Sequence, residues 1–96
     1  MEKFGKWIKQ QRRTKGLGRY RCAGFAFVGG ETLRLIENGN SNPADCKVKT
    51  LYGLAKVLNL DIAEVVERAV REDIEFMKWL DSGMGFYAKW QSDNPW

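Results

Sequence analysis

The sequence predicts an all-α fold: five helices in one small domain, followed by a C-terminal helical and aromatic extension. Three observations carry that prediction. Apolar residues recur at three- and four-residue intervals from Phe4 to about Leu80. No stretch alternates at the two-residue period of a strand, and no repeat or low-complexity tract interrupts the chain. Turn formers separate the periodic segments, most densely in "GNSNPADC". With 96 residues the chain is long enough for one modest core, so self-association would help its stability.

The first helix is expected in "EKFGKWIKQQRRTKG", with Phe4, Trp7 and Ile8 on one face and Lys15-Gly16 as its stop. Gly5 weakens it slightly. A short second helix, about residues 19–26, turns Cys22, Ala23 and Ala26 inward. A third, about 29–38, buries Leu33 and Ile36 behind the inward Val28 and ends at Gly39, a residue suited to a left-handed cap. After the loop, "KVKTLYGLAKVLNL" carries an apolar stripe of Val48, Leu51, Leu54, Ala55 and Leu58. Asp61, three residues before Glu64, is a good N-cap for a fifth helix running to about Leu80. Its apolar positions include Val65, Val66, Ala69, Val70, Ile74 and Met77. A Gly-rich break is expected at "DSGMG", followed by Phe86, Tyr87, Trp90 and Trp96. These aromatics have three possible partners: a second copy, the fifth helix of the same chain, or a foreign protein.

Charge divides the chain. Residues 1–60 carry twelve lysines and arginines against four acids, a net +8, and residues 61–96 carry four against eight, a net −4. The basic part suits a polyanion; the acidic part does not belong on phosphates. The absence of histidine removes imidazole acid–base and triad chemistry, and two widely separated cysteines leave no zinc motif. No acid–base cluster, nucleophile or phosphate loop points to an enzyme. No cofactor or metal is expected. With no signal peptide or membrane-spanning run, an intracellular, cytoplasmic protein with reduced thiols is expected.

The pattern over residues 4–67 resembles the Cro/lambda-repressor-like helix-turn-helix family. Ala23 matches the family's small residue at the helix crossing, Val28 its apolar turn residue, and Leu33 and Ile36 the core positions of its recognition helix. "IENG-NSNP" and "TLYGLAKVLNLDIAEVVE" are similar to the family's loop and to its fourth helix with the start of the fifth. Arg12 and Glu37 match a pair that forms a structural salt bridge in the family. The departures are Arg19 for a glutamine, Cys22 for a larger apolar residue, Gly29 for the Ser/Thr cap, and Phe27 where the family has glycine. A positive φ is costly for phenylalanine, so a remodelled turn is expected there.

The resemblance implies a helix-turn-helix domain at 1–67 and, at 68–96, a continuation of the fifth helix with an extension for dimer or partner contact. It implies a dimeric regulator of transcription on double-stranded DNA, in the manner of small phage or mobile-element repressors. The alternative is a protein-interaction module, such as an antitoxin or a repressor modulator, using its C-terminal aromatics. Expected DNA contacts are Arg19, Arg21, Gly29, Gly30, Glu31, Thr32, Arg34, Asn38, Asn40, Asn42 and Lys47, with Ser41 and Lys49 nearby. Gly30 has no side chain to read with. Glu31 either accepts from a cytosine or stabilises the helix start. Arg34 either reads a guanine or clamps a phosphate. Val70, Ile74, Met77, Phe86, Tyr87 and Trp90 are the expected dimer or partner contacts.

Overall fold

The structure, a computed structural model, describes residues 2–93 and, within them, the side chains of all but 84–88 and 93. The described residues form six α-helices and no strand: α1 (Phe4–Thr14), α2 (Arg19–Phe25), α3 (Gly30–Glu37), α4 (Val48–Val57), α5 (Ile62–Val70) and α6 (Ile74–Asp93). A 3-10 turn, Pro43–Asp45, precedes α4.

Each of the first five helices contributes to one core. Phe4, Trp7 and Ile8 from α1 meet Cys22 and Ala23 from α2, Leu33 and Ile36 from α3, Leu51, Leu54 and Ala55 from α4, and Val65 and Ala69 from α5. Ala26 and Leu58 join them from the helix ends. Burying a side chain such as Ile8 or Leu54 contributes about 2 kcal/mol. Val48 departs from its expected stripe. It is 79% exposed, because it opens α4 outside the packed layer. Gly5 is more than a weak helix former. A Cβ there would lie 2.1 Å from the Ile36 carbonyl oxygen, so α1 and α3 pack closely only with glycine at that position. Arg68 of α5 places its guanidinium 4.2 Å from the centre of the Trp7 ring, tying α5 to α1.

Four helices end the same way. Gly16, Phe27, Gly39 and Asn59 all have φ between 54° and 75°. Following each, a backbone N–H reaches back across the last turn: Leu17 to Arg12, Val28 to Ala23, Asn40 to Leu35 and Leu60 to Ala55. This is the Schellman closure, which satisfies carbonyls the helix leaves open. Phe27 therefore keeps the left-handed turn that was expected to be remodelled. The helix closure and the packing of Val28 against the core outweigh a local cost of about 1–2 kcal/mol.

The C-terminal third also departs from expectation. The fifth helix does not continue to Leu80. It stops at Val70, where Glu72 and Asp73 make tighter bonds to Ala69 and Val70, and α6 starts afresh. The Asp73 carboxylate accepts from the Phe76 N–H at 3.0 Å, an N-cap of the kind Asp61 makes with Glu64. The expected break at "DSGMG" is absent, and α6 runs through it unbroken. Among the described residues, none of the main interhelical contacts involves α6, and none of the core residues comes from it. The molecule measures 53 × 25 × 21 Å, with a radius of gyration of 16.3 Å against about 12–13 Å for a compact chain of this length. A 20-residue helix of about 30 Å accounts for the difference. Among the described residues, no helix is long and apolar enough to cross a membrane.

Candidate nucleic-acid interface

The outer face of α3 is the candidate site, and three contacts fix its direction. Gly5 lets α1 lie against the end of α3, as described. Gly53 does the same between α4 and the end of α2, since a Cβ there would be 2.2 Å from the Ala26 carbonyl oxygen. The third contact is ionic. Glu37, whose side chain is fully buried, accepts from Arg12 Nε at 2.7 Å and Nη2 at 2.9 Å. Arg12 also donates to the Leu17 carbonyl at 2.9 Å. The hydrogen bond to Glu37 raises the pKa of Arg12 further above its ordinary value, against desolvation.

Arg19 joins this pair. Its Nε donates to Glu37 Oε1 at 3.2 Å, and its side chain is about three-quarters covered. It is not the free surface cation that a phosphate grip suggests; part of its donor set is turned inward. Arg21, Thr32, Asn38, Asn40 and Lys47 are exposed, with Asn38 closing α3 and Lys47 opening α4. Asn42 is exposed but holds the 3-10 turn, its side-chain oxygen accepting from the Ala44 N–H at 3.1 Å. Gly29 stands at the N-cap of α3, which lacks a side-chain cap at a cost of roughly 0.3 kcal/mol.

Glu31 and Arg34 face each other one turn apart. Arg34 Nε donates to Glu31 Oε2 at 2.8 Å, and Nη2 bonds the other oxygen. The hydrogen bond to Arg34 holds the Glu31 carboxyl below its ordinary value, and the same bond raises Arg34. A depressed carboxyl contributes its interaction above the ordinary glutamate range and loses it as pH falls through the depressed value. At neutral pH the pair is closed, so α3 presents a neutral fork in which part of the Arg34 donor set is engaged.

Two residues of this surface, Tyr20 and Phe27, are not among the expected contacts. Tyr20 lies on Gly30: a Cβ at residue 30 would be 2.2 Å from Tyr20 Cδ1, yet the tyrosine is 68% exposed. Phe27 is 82% exposed, with the Lys49 ammonium 5.2 Å from its ring centre. The exposure of Phe27 goes with its left-handed backbone, which the expected remodelling of the turn had excluded. The meeting of Tyr20 with Gly30 depends on the α2–α3 crossing and has no local signal. Beside Phe27 opens a cleft of about 560 Å³, floored by Val28, Leu35 and Cys46 and rimmed by Lys47 and Lys49.

The expected contacts of the C-terminal part lie apart from this surface. Ile74 and Trp90 are exposed on α6, Met77 is half-buried there, and Val70 is half-buried at the end of α5. The Phe86 and Tyr87 side chains, and Trp96, fall outside the described residues. Among the described residues no group of acidic or thiol side chains could hold a metal ion. Both thiols are pushed above their ordinary value by burial, Cys22 in the core and Cys46 in the cleft floor.

Comparison of the chain with family models, with curated proteins and with solved structures found no match. The function is read from the site itself.

Proposed function

We propose that this chain is a DNA-binding regulator of transcription, with a Cro/lambda-repressor-like helix-turn-helix in α2 and α3 and with α3 entering the major groove of a duplex. The observation that carries the reading is the setting of α3. Leu33, Ile36 and Glu37 anchor its inner face, while Glu31, Thr32 and Arg34 face outward beside exposed Arg21, Lys47 and Lys49. An anchored helix with an exposed polar face and flanking cations suits groove insertion with phosphate contacts on either side. The net +8 of residues 1–60 supplies the long-range attraction. The protein acts by occupying promoter DNA, as a small repressor of the phage or mobile-element kind, and not by catalysis.

The regulator works as a dimer joined through α6. Ile74, Phe76 and Trp79 are 62%, 41% and 63% exposed on that helix, and a second copy is the partner that would pair two recognition helices on a two-fold operator. The same exposed side chains favour one second reading, a protein-interaction module that docks a foreign partner on α6 and binds DNA weakly.

Selection from randomised duplexes at low and moderate salt, with sedimentation of the free protein, separates the two. A two-half-site motif and a dimer support the regulator. A monomer that enriches no motif, and whose binding vanishes at moderate salt, sinks it and leaves α6 as the functional surface.

A further inference from the structure

We infer that Tyr20, delivered from α2, reads a base beside the start of α3 in the place that Gly30 leaves empty, by packing its ring on the methyl group of a thymine. The inference rests on the DNA-binding reading above. Gly30 occupies the first turn of α3, where the helix meets the groove, and has no side chain of its own. Its side-chain space is taken: a Cβ there would stand 2.2 Å from Tyr20 Cδ1 and 2.5 Å from Cε1. One edge of the ring covers the glycine, and at 68% exposure the remainder faces outward.

Two comparisons within the molecule give this contact its meaning. Gly5 and Gly53 meet backbone carbonyls, so the fold itself requires them. Gly30 meets a side chain that can swing away, so what it secures is the position of the ring. The neighbouring polar groups of α3 are also committed, since Glu31 and Arg34 hold each other. The ring on Gly30 thus sits beside the committed Glu31–Arg34 pair, in one exposed cluster at the start of α3. An aromatic surface in a major groove finds one apolar feature on the base edges, the thymine methyl.

The test uses the full chain. The best duplex from selection is remade with each thymine replaced singly by uracil, which removes only the methyl. At one position wild type weakens about fourfold, the worth of one buried methyl group. Tyr20→Ala is weaker on the parent duplex and indifferent to uracil there, whereas Tyr20→Phe keeps the sensitivity. Gly30→Ala displaces the ring and copies the Tyr20→Ala loss, but adds nothing in the Tyr20→Ala background. Circular dichroism checks that each variant is folded. Retained uracil sensitivity in Tyr20→Ala, or an equal cost of Gly30→Ala in both backgrounds, overturns the inference while DNA binding stands. A wild type that enriches no motif overturns both.

Discussion

Glu37 receives hydrogen bonds from two arginines on two other helices and is the only charged acceptor buried among the described residues. Removing Arg12 leaves that carboxylate in the interior with Arg19 as its remaining cation. Arg12→Ala is expected to cost about 3 kcal/mol, read as a fall in the urea midpoint. Phe27 runs the other way. Its φ of 58° is a conformation glycine adopts without penalty, and its 82% exposure means little burial is lost. Phe27→Gly should stabilise the fold by about 1 kcal/mol, visible as a higher Tm. Much at this scale was legible. The Arg12–Glu37 pair followed from the family resemblance, and the inward residues of α1 to α3 followed from spacing. The pairing of Arg34 with Glu31 is a three-residue neighbour relation, present in the sequence as a spacing but not expected there. The contact of Tyr20 with Gly30 arises only when two helices cross.

At the scale of elements, helix ends decided where expectation and structure parted. Gly16, Gly39 and Asp61 end or begin helices as their chemistry suggests. Asp73 carries the same signal as Asp61, an aspartate with a free backbone N–H three residues on, but it lies inside an apolar period that reads as continuous. Periodicity constrains faces, not breaks, so the join between α5 and α6 was not visible from it. The glycines at 83 and 85 invited a break that does not occur, since isolated glycines weaken a helix by about 1 kcal/mol each without ending it. Because α6 stands clear of the core, its cap is a local matter. Asp73→Ala should lower the far-UV helical signal while leaving the unfolding midpoint of the core unchanged. A fall in that midpoint would mean that α6 is coupled to the domain after all.

For the whole molecule, the charge division acquires a geometry. The basic excess lies on α1 to α4 and their joining loops, α3 among them, and the acidic excess lies on α5, the join and α6. A duplex would attract one end and repel the other, orienting the encounter before any base is touched. With about four phosphate contacts per copy, a fourfold rise in salt should weaken duplex binding roughly a hundredfold for a single copy and about ten-thousandfold for the dimer. Fluorescence anisotropy of labelled DNA across a salt series measures the slope. A flat response would remove phosphate contact from the account of this surface.

The projecting helix also makes the protein its own optical probe. Trp7 is 5% exposed in the core, whereas Trp79 and Trp90 are 63% and 50% exposed on α6. Iodide added to the free chain, in a Trp96→Phe background, should dim the α6 indoles and spare Trp7. A partner laid along α6 would shield the quenched pair, while a duplex at α3 would leave it as it was. Emission from the unlabelled chain would then tell which end of the rod is occupied.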